Sequence, residues 1–195
     1  RVISLRNLPP EESRALLAAR DVAAERQEGI LRFTHGHPLA LSLAAELARE
    51  GRMAEDLETA GPEMVSVLLR RFVSSATTPL QRQALEASSV AYRTTQVTLT
   101  AALRLEGQDE TAHELFEWLR GLSTIEQGQH GLFPHDIVRD TIFQDLRLRD
   151  PEQLRMLSRR IAWLESNRFL RSRGPEQHGA FWGMMYVHRH LPSVA

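Results

Sequence analysis

Ser123-Thr124-Ile125-Glu126-Gln127-Gly128-Gln129-His130-Gly131-Leu132-Phe133-Pro134-His135-Asp136-Ile137 decides the fold of this 195-residue chain. Residues 123–127 alternate in polarity, residues 128–131 can turn, and Leu132-Phe133-Pro134-His135 is apolar again. That pattern predicts a β-hairpin with a four-residue loop. Asp136 stands where an N-cap is expected, with a helix following over 137–148. Working backwards, the apolar spacing predicts helices over 112–122 (capped by Asp109), 99–105 (capped by Thr98), 78–92 (opened by Thr78-Pro79) and 64–74, with residues 93–97 as loop or a short strand. Helices followed by one hairpin, with a short helix among them, is the order of a winged-helix domain.

Outward from this core the chain stays helical. Residues 10–20 and 24–34 read as helices, the first opened by Pro10 with Glu11 and Glu12 in its first turn. A short extended segment at 2–8 precedes them. Gly36-His37-Pro38 breaks the pattern, because glycine accepts positive φ and proline cannot continue a helix. Residues 39–50 then form a helix apolar nearly all round, so it should be buried. Another short helix, 54–60, ends at Gly61-Pro62, which we take as a domain boundary. Beyond the winged helix, Pro151 opens a helix carrying Leu154, Leu157, Ile161 and Leu164 at helical intervals. Residues 174–195 are too apolar for a disordered tail. The expectation is a mainly α chain: a helical subdomain (1–60), a winged helix with one β-hairpin (61–148) and a C-terminal helical segment (149–195) that starts a following domain.

Composition removes many functions. The chain contains no Cys, so disulfides, thiolate metal sites and cysteine nucleophiles are excluded. It contains no Lys either, so a P-loop lysine, a Schiff base and a lysine general base are also excluded. Basic and acidic residues number 24 and 25, and the net charge of -1 gives no overall attraction to nucleic acid or anionic membranes. No apolar run approaches the roughly 18 to 20 residues that a membrane span needs. Residues 1–5 carry neither an initiating Met nor a signal-peptide core. We therefore expect a cytoplasmic segment of a longer polypeptide.

Two stretches stand out: Gly36-His37-Pro38-Leu39-Ala40-Leu41 and Phe133-Pro134-His135-Asp136-Ile137-Val138-Arg139-Asp140. With the helix order between them, they make residues 2–148 resemble the STAND class of P-loop NTPases, which includes NB-ARC proteins and large ATP-dependent LuxR-type regulators. The first stretch resembles that family's Gly-x-Pro motif, often Gly-Leu-Pro-Leu-Ala, in the helical lid behind the nucleotide. The second resembles its Met-His-Asp motif in the winged helix, with Pro134 in place of Met. The resemblance implies that Gly36 and Pro38 form part of a nucleotide site, Pro38 packing on the base or ribose. It implies that His135 donates a hydrogen bond to the β-phosphate of ADP, and that Asp136 caps the helix presenting it. It further implies ATP or ADP with Mg in the intact protein, an upstream P-loop ATPase domain, a downstream helical sensor or effector domain, and possible oligomerisation on activation. The function implied is a signalling or transcription-regulatory switch, off with ADP and on with ATP. With no Gly-x-x-x-x-Gly-Lys-Ser/Thr and no Walker B strand, these residues should not hydrolyse ATP by themselves, and they should bind ADP weakly or not at all.

Other readings carry less. His35-x-His37 and His188-x-His190 lack a third ligand at helical spacing, so a metal site is not expected. Ser123, His135 and Asp136 come without a strained nucleophile turn, so no catalytic residue is assigned. A winged helix also suggests DNA binding, with residues 98–105 as the reading helix. Residues 64–147 hold eight Arg against ten acids, however, and the wing 127–131 has no Arg. This is poor provision for phosphate neutralisation. A helical protein–protein interaction module is the remaining alternative, in which the C-terminal helix and its aromatic tail begin a helical-repeat array; the Leu154–Leu164 stripe reads as core and the Arg159-Arg160 cluster beside it as a solvated face.

Overall fold

Proline and threonine set most of the helix starts. A computed structural model describes residues 7–49, 68 and 78–188. In it, Pro10, Pro38, Pro79, Pro151 and Pro175 each open a helix, where the missing N–H is no loss and φ is already near the helical value. The helices are α1 (Pro10–Ala18), α2 (Ala24–Thr34), α3 (Pro38–Arg49), α4 (Pro79–Val90), α5 (Gln96–Leu103), α6 (Asp109–Arg120), α7 (Asp136–Arg149), α8 (Pro151–Arg171) and α9 (Pro175–His188). The strands β1 (Ile125–Gly128) and β2 (Gly131–Pro134) lie between α6 and α7. Among the described residues the protein is mainly helical with one antiparallel hairpin, as the sequence pattern implies. The extended segment at 2–6, the helices at 54–60 and 64–74 and the boundary at Gly61-Pro62 lie outside the described residues.

The chain divides into two compact units, Arg1–Ser75 and Ala76–Ala195. In the first, α1, α2 and α3 pack together and α3 is buried from Ala40 to Ala48 except at Ser42. In the second, α4 is the central element. Every residue from Ala84 to Val90 is buried, and α4 touches α5, α6, α7, α8 and β2. A full capping box begins it: Thr78 Oγ accepts from the Gln81 N–H at 3.1 Å, and Gln81 Oε1 accepts from the Thr78 N–H at 3.1 Å.

The hairpin pairs Ile125 with Pro134, Glu126 with Phe133, Gln127 with Leu132 and Gly128 with Gly131. The connecting loop is therefore Gln129-His130 alone, shorter than the glycines suggest, because both glycines are paired. Thr94 adds a third extended position. Its N–H donates to Leu132 O at 2.9 Å, and Leu132 N–H donates to Thr94 O at 2.8 Å. Gly131, at φ 145°, permits this approach, since a Cβ there would lie 2.8 Å from Thr94 O. The described order is helix, bridge strand, helix, helix, hairpin (α4, Thr94, α5, α6, β1 and β2), the order expected of a winged helix. In a winged helix of this order α6, rather than residues 98–105, would be the reading helix.

Three cap assignments shift. Thr95 caps α5, its Oγ accepting from the Thr98 N–H at 3.1 Å. Asp109 and Asp136 are first helical residues, the flanking Gln108 and His135 making no side-chain cap. Both helices begin one residue earlier than an Asp cap allows, and the carboxylates act on the helix dipole. The C-terminal helices α8 and α9 belong to the same compact unit as the hairpin. Helix α9 folds back on α8 after Ser172-Arg173-Gly174. Arg160 on α8 donates to Ala102 O at the end of α5 at 2.7 Å.

Candidate functional site

The first of the two singled-out stretches is a tight turn between α2 and α3. His35 ends α2 at φ 47° and Gly36 follows at φ 77°. The chain at Asn7-Leu8 crosses over it: Leu8 N–H donates to Gly36 O at 2.8 Å, and Asn7 Nδ2 donates to His35 O at 3.0 Å. A Cβ built on Gly36 would overlap the Leu8 carbonyl oxygen, so the glycine is demanded by the crossing itself. His37 Nδ1 accepts from the Ala40 N–H at 3.4 Å and helps to close the first turn of α3. Gly36 is buried, whereas Pro38 is exposed at the head of α3.

The second stretch lines an open cleft of about 350 Å3 in the second unit. His135 follows β2 directly, and its N–H donates to Thr124 O at 3.1 Å, extending the ladder. Glu126 is paired with Phe133, so Glu126, Phe133 and His135 project from one face of the hairpin. That register explains why Glu126 Oε1 lies 2.9 Å from His135 Nδ1. Both side chains are well exposed, at 40% for His135 and 64% for Glu126. The other ring nitrogen of His135 has no partner among the described residues. Asp136 is exposed beside it at the start of α7.

Aromatic rings and one arginine build the back of this cleft. Tyr92 packs edge-on against Phe133 with centroids 6.3 Å apart, and against Tyr186 of α9 at 5.6 Å. Arg139, one turn into α7, is buried. Its guanidinium donates to Ala91 O at 2.5 Å, to Tyr92 O at 3.3 Å and to Tyr186 Oη at 2.9 Å. It also lies 5.1 Å from the Tyr186 ring centroid. The arginine is thus fully engaged in tying α7 to the end of α4 and to α9. Sequence reasoning singled out His135 and Asp136 but not Glu126, Tyr92, Arg139 or Tyr186. Cross-strand pairing could have revealed Glu126. Tyr186 lies 47 residues beyond Arg139 on a helix with no periodic signal.

Two buried carboxylates of the second unit lie away from this cleft. Burial pushes Glu86 above the usual carboxylate range, against the hydrogen bond and charge of Arg149 at 2.5 Å. Hydrogen bonds to Glu86 and Asp145 raise Arg149 against its own desolvation. Burial likewise pushes Glu165 up, opposed by Arg168 and Arg93. The Glu165 carboxylate is seated over Gly183 of α9, where a Cβ would come within 2.8 Å of its carboxyl carbon.

Helix α6 presents an acidic surface. Its exposed residues include Asp109, Glu110 and Glu114, and Arg120 is paired with Glu117. Like charges would face the phosphates. The stretches carrying Pro38 and His135 lie in different units, each open to solvent within its own. Among the described residues no helix is long and apolar enough to cross a membrane. Comparison of the chain with protein-family models, with curated proteins and with solved structures found no match.

Proposed function

We infer that this chain is the regulatory portion of a nucleotide-dependent switch, off with ADP and on with ATP, in a signalling or transcription-regulatory ATPase. The winged helix closes on a nucleotide held mainly by an upstream P-loop domain, with Mg on its phosphates. His135 donates to the β-phosphate, Pro38 packs against the base or ribose, and Gly36 shapes the turn that presents Pro38. The observation that carries this reading is the state of His135. It is a half-exposed imidazole on the rim of an open cleft, with one ring nitrogen on Glu126 and the other unpaired. An exposed imidazole so oriented is placed to meet an anion.

Glu126 and Asp136 set the limits of this site. Both carboxylates stand beside His135, so a diphosphate approaching alone meets two negative charges. This supports weak binding of ADP by these residues in isolation and firm binding only with the ATPase domain and its Mg. The acidity of α6 disfavours the DNA-binding reading. The test is ADP dissociation from the full-length protein. His135→Ala should speed release by about 10-fold or more, the loss of one charge-assisted hydrogen bond. Unchanged release and unchanged activation would overturn the reading.

A further inference from the structure

Helix α8 is apolar on two opposite faces, and only one of them is used. Leu154, Leu157, Ile161 and Ala162 are buried. On the far side, Met156, Trp163 and Leu170 are 40%, 68% and 78% exposed. Successive members of this trio are seven residues apart, so they drift only ~20° per step and form a single straight ridge. The ridge runs about 21 Å along the helix. Isolated apolar residues at a surface need no explanation, but a heptad file containing a tryptophan and a leucine exposed to this degree does.

Arginine dominates the charge beside the ridge, with Glu152 in line with it one turn before Met156. At ~100° per residue, Arg155 and Arg159 fall on one flank and Arg171 on the other. All three are exposed, and Glu152 is the sole exposed carboxylate of α8. Among the described residues neither Arg159 nor Arg171 is paired with an acid. The chain as a whole is charged -1, so this basic strip is local.

We propose that the Met156–Trp163–Leu170 ridge of α8 docks an acidic amphipathic helix of another polypeptide, its apolar seam over the ridge and its carboxylates against Arg155, Arg159 and Arg171. A ridge one side chain wide with two-turn spacing fits the grooves between side-chain rows of a helix. A second copy of α8 is disfavoured, because it would set arginine against arginine. A lipid surface asks for a broad continuous apolar face, and here arginines begin within a turn of the ridge.

The probe is a labelled peptide of about 21 residues with Leu at positions a and d and Glu at e and g, a pattern whose like charges oppose self-pairing. Its anisotropy is followed on titration with the full chain. The expected result is saturable binding, weakened by added salt, lost when Lys replaces Glu in the peptide, and weakened at least ~10-fold by Trp163→Ala or Leu170→Ala. Both positions are exposed, so the variants should fold, and circular dichroism checks this. Absence of binding, or equal binding by Trp163→Ala, overturns the proposal. So does capture of the chain by phosphatidylserine vesicles in place of the peptide, or self-association of the chain abolished by Trp163→Glu.

Discussion

Replacing Gly36 by alanine should selectively unfold the first unit. Alanine at φ 77° costs about 1–2 kcal/mol in the left-handed region. The new Cβ also overlaps the Leu8 carbonyl oxygen, a backbone atom that cannot rotate away. Relieving the overlap means moving the Asn7-Leu8 segment and losing the bonds from Leu8 N–H to Gly36 O and from Asn7 Nδ2 to His35 O, worth about 1–2 kcal/mol together. Together these give about 2–4 kcal/mol. Gly29 is the internal control. It lies inside α2 with nothing within 4 Å of its would-be Cβ, so Gly29→Ala should stabilise by about 0.5–1 kcal/mol. Trp118, Trp163 and Trp182 and both tyrosines lie in the second unit, so intrinsic fluorescence is blind to this change. Amide hydrogen exchange of α1–α3 reads it directly. Protection should fall about 30- to 700-fold in Gly36→Ala at 1.4 kcal/mol per decade, and rise in Gly29→Ala. Unchanged protection in Gly36→Ala would show that the turn relaxes freely and that its glycine is not structurally demanded.

Four further outcomes follow from the second unit. Arg139→Met leaves the Ala91 and Tyr92 carbonyls without their donor, and should lower stability by about 2–4 kcal/mol in denaturant titrations followed by tryptophan fluorescence; Tyr186→Phe should cost about 1 kcal/mol in the same assay. Because burial holds Glu165 and Glu86 above their ordinary value of 4.5, the folded state binds their protons more tightly than the unfolded state. The stability that protonation gives is complete below that value and is lost as pH rises through each folded pKa. Glu165→Gln should flatten this decline, leaving the Glu86 part, and an unaltered slope would refute the assignment. In low-salt gel shifts with random duplex DNA the chain should show no tight association, and tight binding would contradict the charge reading of α6.

Periodicity and punctuation made most of the fold legible. The prolines at 10, 38, 79 and 151 and the Gly-rich turn in 128–131 marked elements that the structure contains. The shifts arose where two local signals compete. Asp109, Asp136 and Thr98 look like caps, yet each lies inside its helix: two helices begin at the aspartates themselves, and Thr95 reaches the free N–H groups of α5 first. Helix α9 was hidden because Gly179 and Gly183 break its apolar pattern. Those glycines make room for the buried Arg93 and Glu165 side chains, a tertiary requirement with no local signature. The His135 cleft was half visible. A strand-to-helix junction carrying His-Asp is a sequence feature, whereas its pairing with Glu126 depends on hairpin register and its aromatic wall on a helix far along the chain.

The central claim is that the head of α3 and the end of β2 meet on one bound diphosphate. These 195 residues hold no cysteine; with any cysteine elsewhere in the full-length protein replaced by serine, spin labels at Ser42→Cys and Ile137→Cys place one reporter beside each stretch without touching Pro38 or His135. Electron–electron distances are then measured in the full-length protein with ADP and with a non-hydrolysable ATP analogue. The account predicts a single short distance with ADP that lengthens with the analogue, and a loss of the short distance in His135→Ala. A distance indifferent to both nucleotide and His135 would contradict it.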